Sequence, residues 1–177
     1  RYYWRMNTRR MESEVVRDSL LHLAAALDTT RGGPSVAPGT SSRRRSIYFK
    51  HSRDDQDLFL AMFDDADHLQ CYRRSESIVP QQALALANSE LSLEMSERIA
   101  RQLVREDPQM DIDTFIETTF FALLARQPDE AEMRNCRRFC QVMAELQPSA
   151  AASDRTSRTR ARLVHALLNH SDFISIR

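Results

Sequence analysis

Arginine and acidic residues recur in this sequence as short ordered clusters, and these are the side chains with which chemistry could be done. Arg10, Glu14, Arg17 and Asp18 share one stretch, Arg44, Arg45 and Tyr48 another, and Asp64 and Asp67 precede Arg73 and Arg74. A guanidinium offers a planar fork of donors that matches carboxylate, phosphate or sulfate two bonds at a time. In one use the arginines grip an anionic group, Asp18, Asp64 or Asp67 serves as acid, base or metal ligand, and Tyr48 or His68 moves a proton. In the other, Arg10, Arg17, Arg44, Arg73 and Arg74 pair with Glu14, Asp18, Asp64 and Asp67 to fix irregular loops. Breaking one partner of such a buried network costs roughly 3–5 kcal/mol. The structural use is preferred. Ser75 and Ser77 lack a nucleophile motif, and His22, His165 and His170 lie on or beside predicted helices.

Three further features invite chemistry and favour a plainer reading. Gly32-Gly33-Pro34 has the composition of a phosphate cradle, but the GxxxxGK[ST] pattern is missing and no helix follows directly, so a structural turn is expected. Asp64-Asp65-Ala66-Asp67-His68 could offer oxygens to a divalent cation, but without EF-hand spacing it reads as salt bridging and helix termination. Cys136 and Cys140, four apart, could present two metal ligands on one helical face. No nearby spacing supplies two more, so both are expected in the core, as small hydrophobes.

Composition narrows the classes. Basic and acidic residues number 25 each, so no global field draws in nucleic acid, and Lys50 is the sole lysine. Arg43-Arg44-Arg45 beside Tyr48 and Phe49 could stack a single strand, but one such patch on a neutral chain does not make nucleic acid an expected partner. No run approaches the roughly 20 apolar residues of a membrane span. Three cysteines are too few for a disulfide framework. The chain opens on Arg1-Tyr2-Tyr3-Trp4, without Met, and is expected to be a piece of a longer protein.

The elements that must position these clusters are helices. With 177 residues, 42% hydrophobic content, three Gly and six Pro, the expectation is a single helical domain over 1–177, an irregular bundle with at most one short strand or hairpin. A first helix is expected from Thr8, as its cap, to 27 or 28, with Met11, Val15, Val16, Leu20, Leu23 and Leu27 inward. Ordered loops cover 29–45 and 64–77, and Ser46 to Lys50 is the best strand candidate. A short helix over 56–63 would bury Leu58, Phe59, Met62 and Phe63. Pro80 starts another, interrupted at Asn88-Ser89 before a helix carrying Leu91, Met95, Ile99 and Leu103. Asp111 or Asp113 caps the next, and Pro128 opens one whose stripe is Met133, Cys136, Phe139, Cys140, Met143 and Leu146, the two resembling a helical hairpin. An exposed connection over 148–157 leads to a last helix over 158–168, and the tail packs back through Phe173, Ile174 and Ile176.

The clusters also occur in an order. The run 9–18 (Arg-Arg-Met-Glu-Ser-Glu-Val-Val-Arg-Asp), then Gly32-Gly33-Pro34-Ser35-Val36, Arg44-Arg45-Ser46-Ile47-Tyr48, Phe63-Asp64-Asp65-Ala66-Asp67, Cys71-Tyr72-Arg73-Arg74-Ser75 and the run 80–88 (Pro-Gln-Gln-Ala-Leu-Ala-Leu-Ala-Asn) follow one another. Ala125-Arg126-Gln127-Pro128 and the run 165–173 (His-Ala-Leu-Leu-Asn-His-Ser-Asp-Phe) close the series. In this the chain resembles a planctomycete-type domain of unknown function, number 1553, over nearly its whole length. Ala125 stands where members commonly have Gly. The resemblance implies the C-terminal module of a large exported bacterial protein, periplasmic or extracellular, often associated with cytochrome c modules. It brings no catalytic site. With no CxxCH in this chain, any haem belongs to another part of the parent protein. Expected partners are upstream domains of the same polypeptide and an electron-transfer or surface partner. The function expected is a non-catalytic binding or scaffolding module. The alternative is a hydrolase or modifying enzyme acting on an anionic polymer such as a sulfated glycan.

Overall fold

A computed structural model describes residues 9–37, 42–52, 54, 56–63, 79–105, 107–146 and 151–176. Among these the chain is mostly helical, with seven α-helices and one ladder of two short strands. It forms two compact units, one over 1–89 with 174–177 and the other over 90–173.

In the first unit, β1 (Arg9–Arg10) pairs antiparallel with β2 (Ser175–Ile176), Arg9 opposite Ile176 and Arg10 opposite Ser175. Helix α1 spans Ser13–Leu23, shorter at both ends than its apolar spacing predicts. Arg10 belongs to the ladder and Thr8 lies outside the described residues. At the other end, Ala25 takes a left-handed φ of 48°. The Ala26 amide donates to the Leu21 carbonyl at 2.8 Å and the Ala25 amide to that of His22 at 2.9 Å, closing the helix before Leu27. Val16, Leu20 and Leu21 are fully buried, whereas Val15 is exposed.

The loop from α1 returns past itself. The Val36 amide donates to the Tyr48 carbonyl and the Lys50 amide to the Val36 carbonyl, each at 2.8 Å. The expected strand over 46–50 is instead a 3-10 turn, Ser46–Tyr48, followed by a single bridge from Phe49 to Val36. Aromatic and β-branched content pointed to a strand, but Ser46 is held on α1 through its own amide and hydroxyl, and that attachment bends the chain.

Helix α2 (Leu58–Met62) begins at Asp57, whose carboxylate accepts from the Leu60 amide at 3.0 Å. Leu60 and Phe63 are buried, and Leu58 and Met62 are exposed, correcting the expected inward set. A five-residue helix has room for one inward ridge, and Leu60 takes it. Helix α3 (Val79–Asn88) buries Gln82, Ala85 and Leu86.

The second unit opens with α4 (Glu90–Leu103), after the interruption expected at Asn88-Ser89. Helix α5 (Ile112–Leu124) is capped by Asp111, whose carboxylate accepts from the Asp113 and Thr114 amides. Helix α6 (Glu130–Glu145) is capped by Asp129, with Glu132 completing a capping box, and Pro128 lies before the cap. Helix α7 spans Ala152–Leu168, starting six residues before the expected 158 because its Ser- and Ala-containing lead is helical. Its core combines Met95 and Ile99 of α4, Phe115, Ile116 and Phe120 of α5, Cys140 of α6, and Leu163, Val164, Leu167 and Leu168 of α7. Helix α7 packs on α4, α5 and α6, and its most extensive contact is with α4. Arg137 joins the α5–α6 hairpin with a bidentate grip on Asp113 at 2.6 and 2.8 Å.

Candidate functional site

The described residues hold two arginine-centred sites, one in each unit. In the first, α1 presents Arg17 and Asp18 towards the loop over 42–50. The Arg17 side chain is only 5% exposed, and its guanidinium lies 4.4 Å over the Phe49 ring. Its fork donates to the Ser42 carbonyl at 2.6 Å, the Arg44 carbonyl at 3.0 Å and the Ser46 hydroxyl at 3.2 Å. Burial pushes the Arg17 guanidinium below its ordinary value, and neighbouring Asp18 opposes that shift. Asp18 accepts from the Ser46 amide at 2.8 Å and the Ser46 hydroxyl at 2.7 Å. Arg17 and Arg45 stand 3.5 and 3.7 Å from the same carboxylate.

Arg44 turns the other way. It stacks 4.0 Å over Tyr48 and donates to the Pro34 carbonyl at 3.0 Å and to the Gly32 carbonyl. The Tyr48 hydroxyl accepts from the Gly32 amide at 2.9 Å. Gly32 and Gly33 have φ of 76° and 90°, and a Cβ on Gly33 would sit 3.5 Å from the Arg44 guanidinium. The glycines thus make the turn that Arg44 fastens. Arg10 donates to the buried Gln82 side chain at 2.8 Å, bracing β1 against α3, and Glu14 accepts from the Ser13 hydroxyl at 2.9 Å. Asp64, Asp67, Arg73 and Arg74 lie outside the described residues, as do His68, Cys71, Ser75 and Ser77.

The second site is built from side chains that the sequence clusters did not single out. Arg126, in the turn between α5 and α6, donates to both oxygens of Glu132 at 2.7 Å and through Nε to Asp172 at 2.9 Å, with its guanidinium 5.5 Å from the Phe120 ring centroid. Glu132 also accepts from the Asp129 amide at 2.8 Å, so one carboxylate serves the capping box and the arginine together. Its hydrogen bonds to Arg126 hold Glu132 far below the usual carboxylate range, at about 2, and the same bonds raise Arg126. His170 completes the group. Its Nδ1 accepts from the Asp172 amide at 3.1 Å and lies 3.7 Å from Asp172 Oδ2, while Nε2 lies 3.9 Å from Glu132 Oε1. Two signals stood in the sequence: the capping-box spacing of Asp129 and Glu132, and the Arg126 and Asp172 motifs of the ordered series. Neither indicated that the two motifs meet in space.

Cys140 is buried and Cys136 half-buried, and burial pushes both thiols up, Cys140 to about 11. A neutral, desolvated thiol is a poor nucleophile and a poor metal ligand. Among the described residues, no group of three or more His, Cys, Asp or Glu is arranged to hold a metal ion. No helix among them is long and apolar enough to cross a membrane.

The model of the family PSD1, described as a protein of unknown function (DUF1553), matches residues 1–140, and the chain belongs to this family. The matched span takes in every segment of the ordered series through Ala125-Arg126-Gln127-Pro128, whereas the run 165–173 lies beyond it. No curated protein and no solved structure matches the chain.

Proposed function

We propose that this DUF1553 chain is a non-catalytic binding or scaffolding module of an exported multidomain protein, working in the periplasm or outside the cell. One observation carries the reading: Arg17, Arg44 and Arg126 use their forks on the chain's own groups. Arg17 holds two carbonyls and a hydroxyl, Arg44 two carbonyls, and Arg126 two carboxylates. An arginine set to receive phosphate or sulfate keeps its fork open towards a cavity. The expected partners are upstream domains of the same polypeptide and an electron-transfer or surface protein, with any haem carried outside this chain.

The test compares the chain with Arg44→Ala for thermal stability and for retention on a sulfated-glycan column. The structural reading expects a lower melting temperature for the variant and no sulfate-dependent retention of either protein. Retention of the parent chain, lost in a variant that melts unchanged, would overturn it and favour an enzyme or binder acting on anionic polymers. Secretion of the full-length gene product tests the location, and a protein recovered only in the cytoplasm refutes it.

A further inference from the structure

We propose that His170 makes the turn after α7 a pH-sensitive latch, exchanging a backbone hydrogen bond for contacts with two carboxylates when its ring takes a second proton. As placed, Nδ1 is the acceptor for the Asp172 amide, which requires that nitrogen to be unprotonated and leaves the proton on Nε2. Each ring nitrogen also faces one carboxylate within 4 Å, Nδ1 that of Asp172 and Nε2 that of Glu132. The imidazolium has donors on both nitrogens and no acceptor, so it cannot keep the Asp172 amide and can reach both acids.

Arg126 bonds both Glu132 and Asp172, and a second proton on the ring sets another cation beside the same two carboxylates. Asp129 adds a carboxylate at the head of α6, bonded to the Glu132 amide, and Cys136, one turn further along, is an uncharged thiol. From α7, His165 offers its backbone carbonyl to the Asn169 side chain at 2.9 Å. Histidine is the side chain whose charge changes between about pH 5 and 8. His170 remains 34% exposed, so a proton reaches it without unfolding.

The latch lies in the turn that fixes Phe173, whose amide donates to the His170 carbonyl at 3.0 Å, just before the chain enters β2. Acidification therefore frees the Asp172 amide and leaves the Phe173 amide bonded. Proposed function does not depend on this device, and its failure would leave that reading untouched.

The experiment is a nitrogen-15 NMR titration of the whole chain, with amide exchange read at Asp172 and, as internal reference, at Phe173. At alkaline pH the Nδ1 signal should be that of an unprotonated acceptor. On acidification both ring nitrogens should become protonated, and Asp172 protection should fall at least several-fold relative to Phe173. His170→Asn, whose side-chain carbonyl can accept from the same amide but does not titrate, should keep Asp172 protected throughout. A proton on Nδ1 at alkaline pH, Asp172 protection unchanged as the ring titrates, or the same acid response in His170→Asn would each overturn the proposal.

Discussion

Two alanines hold a backbone conformation that glycine adopts at lower cost. Ala25 and Ala125 close α1 and α5 with φ of 48° and 53°, where a Cβ costs roughly 1–2 kcal/mol. Ala25→Gly and Ala125→Gly should each therefore raise stability by about 1 kcal/mol, measured as a higher urea midpoint. Arg126 acts in the opposite sense. Arg126→Ala leaves Glu132 and Asp172 facing each other and should cost about 1–3 kcal/mol, with no loss expected if the pairs form only transiently in solution. The pH dependence follows from the depressed value of Glu132, near 2 against an ordinary 4.5. Its contribution is complete above the ordinary value and drains away as pH falls through about 2, so Glu132→Gln should flatten the acid limb of the stability curve below about pH 4.5. An acid limb identical in the two proteins would rule out this carboxylate as its source.

Helix α2 shows how an element divides its residues when it is too short to bury a whole face. Leu60→Ala should cost about 2–5 kcal/mol, whereas Leu58→Gln should change stability by less than about 0.5 kcal/mol; similar losses at both positions would contradict the burial pattern. The long helices were legible in the sequence because their apolar period is sustained and their caps are explicit, as with Asp111 before α5 and the stripe through Met95 and Ile99 on α4. Local signals failed where distant groups decide the conformation. The 46–50 segment has strand-like residues, yet Asp18 draws Ser46 into a turn. Periodicity carried the predicted α1 through Leu27, but the left-handed Ala25 ends it four residues earlier. Arg17 and Asp18 were legible as a cluster, while Arg17's partners were not, because two of its acceptors are backbone carbonyls, which every residue possesses. Arg126 was missed for a related reason: Asp172 lies 46 positions away, and nothing local marks it as a partner.

The two units differ in how the chain supplies them. Residues 90–173 are contiguous and contain a core of their own, from Met95 and Ile99 through Phe115 and Phe120 to Leu163 and Leu168. Expressed alone, this stretch should be helical by circular dichroism and melt cooperatively; a gradual, noncooperative melt would show that it depends on the rest. The break between α3 and α4 was visible as Asn88-Ser89, although spacing alone did not mark it as the passage from one unit to the next. The first unit draws on both ends of the sequence, because β2 must return to β1. In that two-residue ladder Arg9 lies opposite Ile176, so the outer ends of the two strands stand side by side. Tension applied at Arg9 and Ile176 therefore peels the pairs in sequence, like a zipper, and does not load them in shear. A single-molecule pulling trace should show this closure opening first, at low force, before any helix extends.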